Sequence, residues 1–269
     1  MTAKDKPKVV VLGAGWLGQE LCLQLQASGC QVEGTRTTAN NAYPWSRVLR
    51  LEQQQLEHTL SLQQAYWVCA IPPRARKADS NYLATLKQSI ELAQQMSAKG
   101  FLLCSSTGVY STDAGHYDEQ GELASKASTR INVLRSAEEL VLQQGGKVLR
   151  LAGLQGPNRE PGRFVAGKAL SSSSNARVNM VERQDVIDAI SSVLMQWQQA
   201  QSIYNVCYPA HPTREDYYRY HCQQQGTAMP SFAATDNVDR VIQAQAITEL
   251  GFTYRYPIYS EGSKPLGSK

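Results

Sequence analysis

Three glycines, Gly13, Gly15 and Gly18, stand in the string GAGWLG directly after the apolar run VVVL. That spacing suits the capture of a pyrophosphate. The first glycine permits a tight turn, the second lets the backbone approach phosphate oxygens, and the third allows close packing of helix on strand. The amides of Trp16, Leu17 and Gly18 then open a helix and offer N–H donors and a partial positive charge to an anion. A tight turn without a ligand would use the same residue types. The dinucleotide reading gains from the strand before the loop, the helix after it and a second strand at the expected distance.

The end of that second strand, QVEGT (31–35), selects the cofactor. A fold that takes NAD places an acidic residue there to accept from the adenosine ribose. This chain has Arg36, with Thr35, Thr37 and Thr38 around it. An arginine can instead pair with a 2′-phosphate through charge-assisted hydrogen bonds. NADP(H) is therefore the expected cofactor and NAD(H) the less favoured one; a solvated surface arginine is the alternative reading of Arg36.

These residues need elements to position them. The chain has 269 residues, 42% of them hydrophobic, enough to bury a substantial core. Strand-length apolar runs alternate with helix-length amphipathic segments, the pattern of a parallel sheet covered on both faces. VVVLG (9–13), QVEGT, YWVCAI (66–71), FLLCSS (101–106) and KVLRLAG (147–153) read as strands. Helices are predicted over about 17–28, 82–99, 132–144 and 185–198. After Gly153 the pattern loosens through GPNREPGRF and SSSSN, and strand-like VNMV and IYNVC then resume the rhythm. A further helix follows Thr213, and the tail 261–269 reads as disordered.

Several function classes are disfavoured. The net charge of +4 is mild and spread without a basic stripe, so nucleic acid is not an expected partner. No apolar run approaches the roughly 20 residues that cross a bilayer, and the polar start MTAKDKPK leads straight into a strand. A cytoplasmic protein without membrane association or signal peptide is expected. The six cysteines are scattered, without C-x-x-C or a nearby histidine at ligand spacing, so no metal site is expected. Reduced structural thiols are the simpler reading, a redox or zinc site the alternative.

GAGWLG, CSSTGVYS (104–111), LRLAGLQGPNREPGRF (149–164), VNMVERQDVIDAI (178–190) and IYNVCYPAHPTREDYY (203–218), with LGFTYRYP, resemble the extended short-chain dehydrogenase/reductase family. That family includes nucleotide-sugar epimerases and dehydratases, and the strings are most similar to its atypical bacterial YeeZ-like group. The resemblance implies an α/β fold: a doubly wound Rossmann sheet over 1–153 and 178–207, with a smaller, interrupted C-terminal substrate lobe over 154–177 and 208–260. It implies that Ala70, Ile71 and Pro72 flank the cofactor and that Ser105 and Ser106 face the nicotinamide. Ser106 would supply a catalytic hydroxyl where charge develops on the substrate oxygen; a plain strand-ending turn explains Ser105 to Thr107 equally well.

One departure from the family is chemical. Its members carry Tyr-x-x-x-Lys on the helix after this strand, one turn apart and facing the cofactor. Aligned on AEEL (137–140), the tyrosine position holds Arg130 and the lysine position Leu134. A permanently protonated guanidinium cannot serve as a neutral acid, and leucine carries no polar group. Tyr110 and Tyr117 could substitute or could simply pack. The family's aromatic before Gly156–Pro157 is Gln155. Arg74 and Arg76 after the proline pair, and Arg159 and Arg163 in the lobe, could clamp a phosphate or carboxylate of a small-molecule substrate, or be solvated loop charges. His211 and Arg214 could edge the same site, although HPTRE also reads as a helix entry capped by Thr213. Two functions remain open: an NADP(H)-dependent oxidoreductase or epimerase of a small polar, nucleotide-sugar-like substrate, and a non-catalytic NADP(H) sensor. A monomer or homodimer is expected in either case.

Overall fold

The structure, a computed structural model, describes residues 7–73, 81–124, 128–234 and 239–260. Along the chain, β1 (Lys8–Leu12), α1 (Gly18–Ala27), β2 (Gln31–Arg36), β3 (Ser46–Glu52), β4 (Gln55–His58) and β5 (Tyr66–Cys69) come first. They are followed by α2 (Tyr82–Gln95), β6 (Gly100–Ser106), a 3₁₀ turn (Thr107–Val109), β7 (Gly115–Tyr117), α3 (Thr129–Leu142) and β8 (Lys147–Leu151). Then come β9 (Gly153–Gln155), α4 (Pro161–Val165), β10 (Ala169–Leu170), β11 (Met180–Glu182), α5 (Arg183–Met195) and β12 (Ile203–Val206). The last elements are α6 (Arg214–Gln225), β13 (Ser231–Phe232), β14 (Arg240–Ile242) and α7 (Gln245–Glu249).

Eight strands form one sheet in the order β12-β8-β6-β5-β1-β2-β3-β4. β1 pairs in parallel with β2 on one side and β5 on the other, so the chain reverses its direction of travel across the sheet at β1. Such a reversal opens a crevice beyond the carboxyl ends of the two flanking strands. Val9 to Leu12 and Trp67 to Cys69 are fully buried, which is why both strands read as unbroken apolar runs. Helix α1 buries Gly18, Leu21, Cys22 and Leu25, three and four residues apart on one stripe.

The antiparallel β3–β4 hairpin is absent from the sequence reading. Glu52 pairs with Gln55, leaving a two-residue turn at Gln53 and Gln54 with φ of 46° and 64°. Two positive φ values are the type I′ geometry that Asn-Gly supplies without strain. Glutamine at both positions removes that signal, and the polar SRVLRLE lacks a long apolar run. Replacing Gln53–Gln54 by Asn–Gly is expected to stabilise the protein by about 1 kcal/mol, read as a higher urea midpoint with an unchanged slope.

The chain divides into two compact units, one drawn from Met1–Val109, Ser125–Arg150 and Ile190–Tyr204, the other from Tyr110–Ala124, Leu151–Ala189 and Asn205–Lys269. The second unit thus takes residues 110–124, 151–153, 178–189 and 205–207, which the sequence reading gave to the Rossmann domain. The reason is strand pairing: β7 joins β14 and β11 joins β9, each as a short parallel pair. A cluster of Val178, Tyr217 and Ile258 anchors this unit. Gln155 lies within it, accepting from the Tyr217 hydroxyl at 2.6 Å and donating to the Ile258 carbonyl at 3.2 Å. Asp185 accepts from the Arg255 and Tyr256 amides, fastening LGFTYRYP without a strand. The tail 261–269 lies outside the described residues. Among those described, no helix is long and apolar enough to cross a membrane.

Candidate functional site

The glycine loop closes onto the neighbouring strand ends. The Gly13 amide donates to Thr35 Oγ1 at 3.1 Å, and the Ala14 amide to the Thr35 carbonyl at 2.7 Å. Gly13 takes φ of +84°, and a Cβ on it would lie 2.9 Å from Ile71. A Cβ on Gly18 would run into the Gly13 carbonyl oxygen. Gly15 differs: it is exposed, and a Cβ there would meet nothing within 4 Å. Two glycines therefore serve the turn and the helix packing, while the middle one faces open space.

That space is a cavity of about 790 Å³, large enough for a cofactor-sized ligand. Of the predicted residues, Gly13, Gly15, Arg36, Thr37, Ile71 and Pro72 line it. Trp16, Leu17 and Gly18 lead into α1 behind the loop, with Leu17 buried at the N-cap position. Ala70 is spent one step earlier, its amide donating to the Leu12 carbonyl. Thr38 and, unforeseen, Arg50 and the start of α2 at Asn81, Tyr82 and Thr85 complete the wall. Arg50 stands on the strand that sequence patterning missed, and it also pairs with Glu52 and Glu57.

Arg36 is held against the loop. Its Nε donates to the Ala14 carbonyl at 2.8 Å and its Nη2 to Gln19 Oε1 at 3.2 Å. Among the described residues the lining carries two arginines and no carboxylate. The acid on β2, Glu33, is 4% exposed and accepts from the Ser61 and Leu62 amides, the Ser61 hydroxyl and Arg47. Burial pushes its carboxyl up, and these donors outweigh that and hold it below the ordinary carboxylate value.

Ser105 makes a contact within the fold. Its hydroxyl donates to Glu138 Oε1 at 2.5 Å, and Glu138 in turn accepts from Arg150 Nη2 at 2.9 Å and Nε at 3.1 Å. All three residues are buried. Successive strand residues point to opposite faces, so only one of two adjacent serines can look toward a ligand. Ser105 faces α3 as a structural anchor. Ser106 is half-buried at the strand end, its Oγ accepting from the Gly108 amide at 3.1 Å. The space a Cβ would fill on Gly108 lies 3.3 Å from Ser106 Oγ, 3.6 Å from Arg130 Nη2 and 3.9 Å from Leu134 Cδ1. Arg130 and Leu134 thus flank the turn after Ser106.

The remaining candidates belong to the second unit or lie beyond description. Tyr110 is fully buried and donates to Asn205 Oδ1 at 2.8 Å; Tyr117 donates to the Asp113 carbonyl at 3.2 Å. Both hydroxyls are engaged in that unit's own packing. Arg159 and Arg163 are exposed there, Arg163 with its amide on Gln225. Thr213 caps α6 by accepting from the Asp216 amide, and His211 contacts the Val178 carbonyl through Nδ1. Arg74 and Arg76 fall outside the described residues. None of the six cysteines forms a disulfide, and burial pushes the Cys22, Cys69 and Cys207 thiols up to about 12, too high for a thiolate at neutral pH.

Comparison with known proteins agrees with this architecture. No protein-family model matches the chain. Protein YeeZ of Escherichia coli K12 is 33% identical over 267 residues, covering 93% of this chain and 96% of the relative. The solved structure of MoeE5 in complex with UDP-glucose and NAD superposes with a TM-score of 0.75 at 18% identity, covering 93% and 94% of the two chains. The UDP-glucuronic acid 4-epimerase of Bacillus cereus, in complex with NAD, gives 0.74 at 14% identity over 93% and 94%. Its UDP-N-acetylglucosamine 4-epimerase gives 0.72 at 14% over 94% and 95%. On an identity of a third along nearly its whole length, the chain belongs to the YeeZ family.

Proposed function

We propose that this chain binds a nicotinamide dinucleotide at the glycine loop, NADP(H) in preference to NAD(H), and acts as an oxidoreductase or epimerase on a small polar substrate of nucleotide-sugar type. The observation that carries the reading is the cavity wall beside Gly15, where Arg36 stands and no carboxylate lines the described surface. A carboxylate there would favour a ribose hydroxyl and repel a phosphate; a guanidinium does the reverse. Arg36 already spends two of its five N–H donors on Ala14 and Gln19, which fixes its plane before any ligand arrives. The fold neighbours described with NAD and UDP-sugars support the cofactor and substrate classes.

The dinucleotide would supply a hydride donor or acceptor. The chain's own part is to hold its pyrophosphate at the loop and to place Ser106 as a hydrogen-bond donor to the reacting oxygen. A second reading, a non-catalytic NADP(H) sensor, is favoured by Arg130 and Leu134 at the positions of the proton relay. Turnover of NADPH with a panel of carbonyl compounds separates the two.

Calorimetry tests the cofactor. The unaltered protein should bind NADPH about tenfold to a hundredfold more tightly than NADH, and Arg36→Asp should erase or invert that ratio. Equal affinities in the unaltered protein would sink the assignment.

A further inference from the structure

We propose that Arg50 is a second ligand of the cofactor's 2′-phosphate, closing on it from β3 while Arg36 holds it from β2, and that it thereby sets the preference for NADP(H) over NAD(H). This rests on the NADP(H) reading of the glycine-loop cavity and adds to it a residue from a strand outside the loop.

Both arginines line that one cavity, together with Thr37 and Thr38. Strand register puts them on the same face of the sheet. β2 and β3 run parallel with Arg36 opposite Val48, and Arg50 lies two residues further along β3. Alternate strand residues share a face. In regular strands, one step across and two along is roughly 8 Å, a span that two arginine side chains can close around one phosphate group. Arg47 has the opposite parity: it stands opposite Thr35 and pairs with the buried Glu33. Of the two arginines on β3, one is therefore spent on the fold and the other reaches the cavity.

The two guanidiniums are committed alike. Arg36 spends Nε on the Ala14 carbonyl and Nη2 on Gln19. Arg50 spends Nε on Glu52 and Glu57, and Nη2 on Glu57, its cross-strand partner in the hairpin. Among the described residues, Nη1 of neither arginine has a partner. Arg50, Glu52 and Glu57 are nearly half exposed, where ion pairs contribute little to stability. The two carboxylates lie outside the cavity lining, and they hold the Nε edge of Arg50 to the hairpin while Nη1 is left for a ligand.

The charge of the ligand calls for two cations. A phosphate monoester carries about −1.5 to −2 at neutral pH and presents three acceptor oxygens. One guanidinium leaves part of that charge unmatched; two match it, each with charge-assisted hydrogen bonds from a planar fork. NAD(H) has an uncharged hydroxyl at the same place, from which a second guanidinium gains little. The contribution of Arg50 is thus confined to the phosphorylated cofactor, which makes it a determinant of specificity and not of dinucleotide affinity in general.

The test is calorimetry of NADPH and of NADH binding to the full chain carrying Arg50→Met, which keeps much of the apolar stem and removes the charge. NADPH affinity should fall about tenfold, while NADH affinity should stay within about twofold of the unaltered protein. Arg50→Lys, a point charge without the fork, should be intermediate. The weakening of NADPH binding by added salt should be shallower in Arg50→Met, a change that a lost hairpin contact would not produce. The urea midpoint should stay close to that of the unaltered protein, because the pair is exposed. A preference for NADPH that survives Arg50→Met intact, or an equal fall for both dinucleotides, overturns the proposal and leaves the assignment of Arg36 in place. Equal affinities in the unaltered protein would instead remove the NADP(H) reading, and this proposal with it.

Discussion

Glu138→Ala should lower the stability of the protein by roughly 3–5 kcal/mol. Glu138 and Arg150 are each 4% exposed at the side chain, with Nη2 and Oε2 2.9 Å apart. Deleting the carboxylate leaves a guanidinium in the interior without its counter-charge and strips the Ser105 hydroxyl of its acceptor. The pair itself is a different quantity: desolvating two ions offsets much of their attraction. Glu138→Leu combined with Arg150→Met should therefore unfold at a higher urea concentration than Glu138→Ala alone. Losses from Glu138→Leu and Arg150→Met made singly that add up to the loss in the double variant would show that the two side chains are not energetically coupled. The same carboxylate ties α3 to β6 and β8.

The same network shows where sequence reading stops. AEEL reads as the surface of an amphipathic helix, and no local pattern marks Glu138 for burial; its partner arrives on β8, twelve residues on. Ser105 and Ser106 are identical in type and adjacent in sequence, so only the strand's register decides which one faces α3. By contrast, β1, β5 and β6 are buried on both faces and announce themselves as apolar runs, and the glycine string names its own turn. The second unit's strands are two or three residues long, too short for any period to develop. The start of α3 was expected near Asn132 and falls at Thr129, because Ser128 caps a polar first turn that carries no hydrophobic periodicity. That shift of three residues moves Arg130 from the loop into the helix. Arg50 escaped for the reason its strand did.

A pair of alanine substitutions separates the glycines that build the loop from the one that leaves room in it. Gly18→Ala drives a methyl group into the Gly13 carbonyl oxygen, with Val11 Cγ1 at 3.2 Å on the other side. Neither is the free end of a flexible side chain, so the helix or the turn must shift. The expected cost is about 1–3 kcal/mol of stability, the range for overpacking a tight contact. Dinucleotide affinity should fall as well, because the turn also carries the Ala14 carbonyl that anchors Arg36. Gly15→Ala meets no protein atom within 4 Å, and its stability should stay within about 0.5 kcal/mol of the unaltered protein. Its dinucleotide affinity should nevertheless drop at least tenfold, since the methyl group takes up space that the pyrophosphate needs at about van der Waals distance from the backbone. Denaturant unfolding and calorimetry on the two proteins read the outcomes independently. A Gly15→Ala protein that binds NADPH at full strength would mean that the open face of this loop is not where a pyrophosphate sits, whatever the string of glycines resembles.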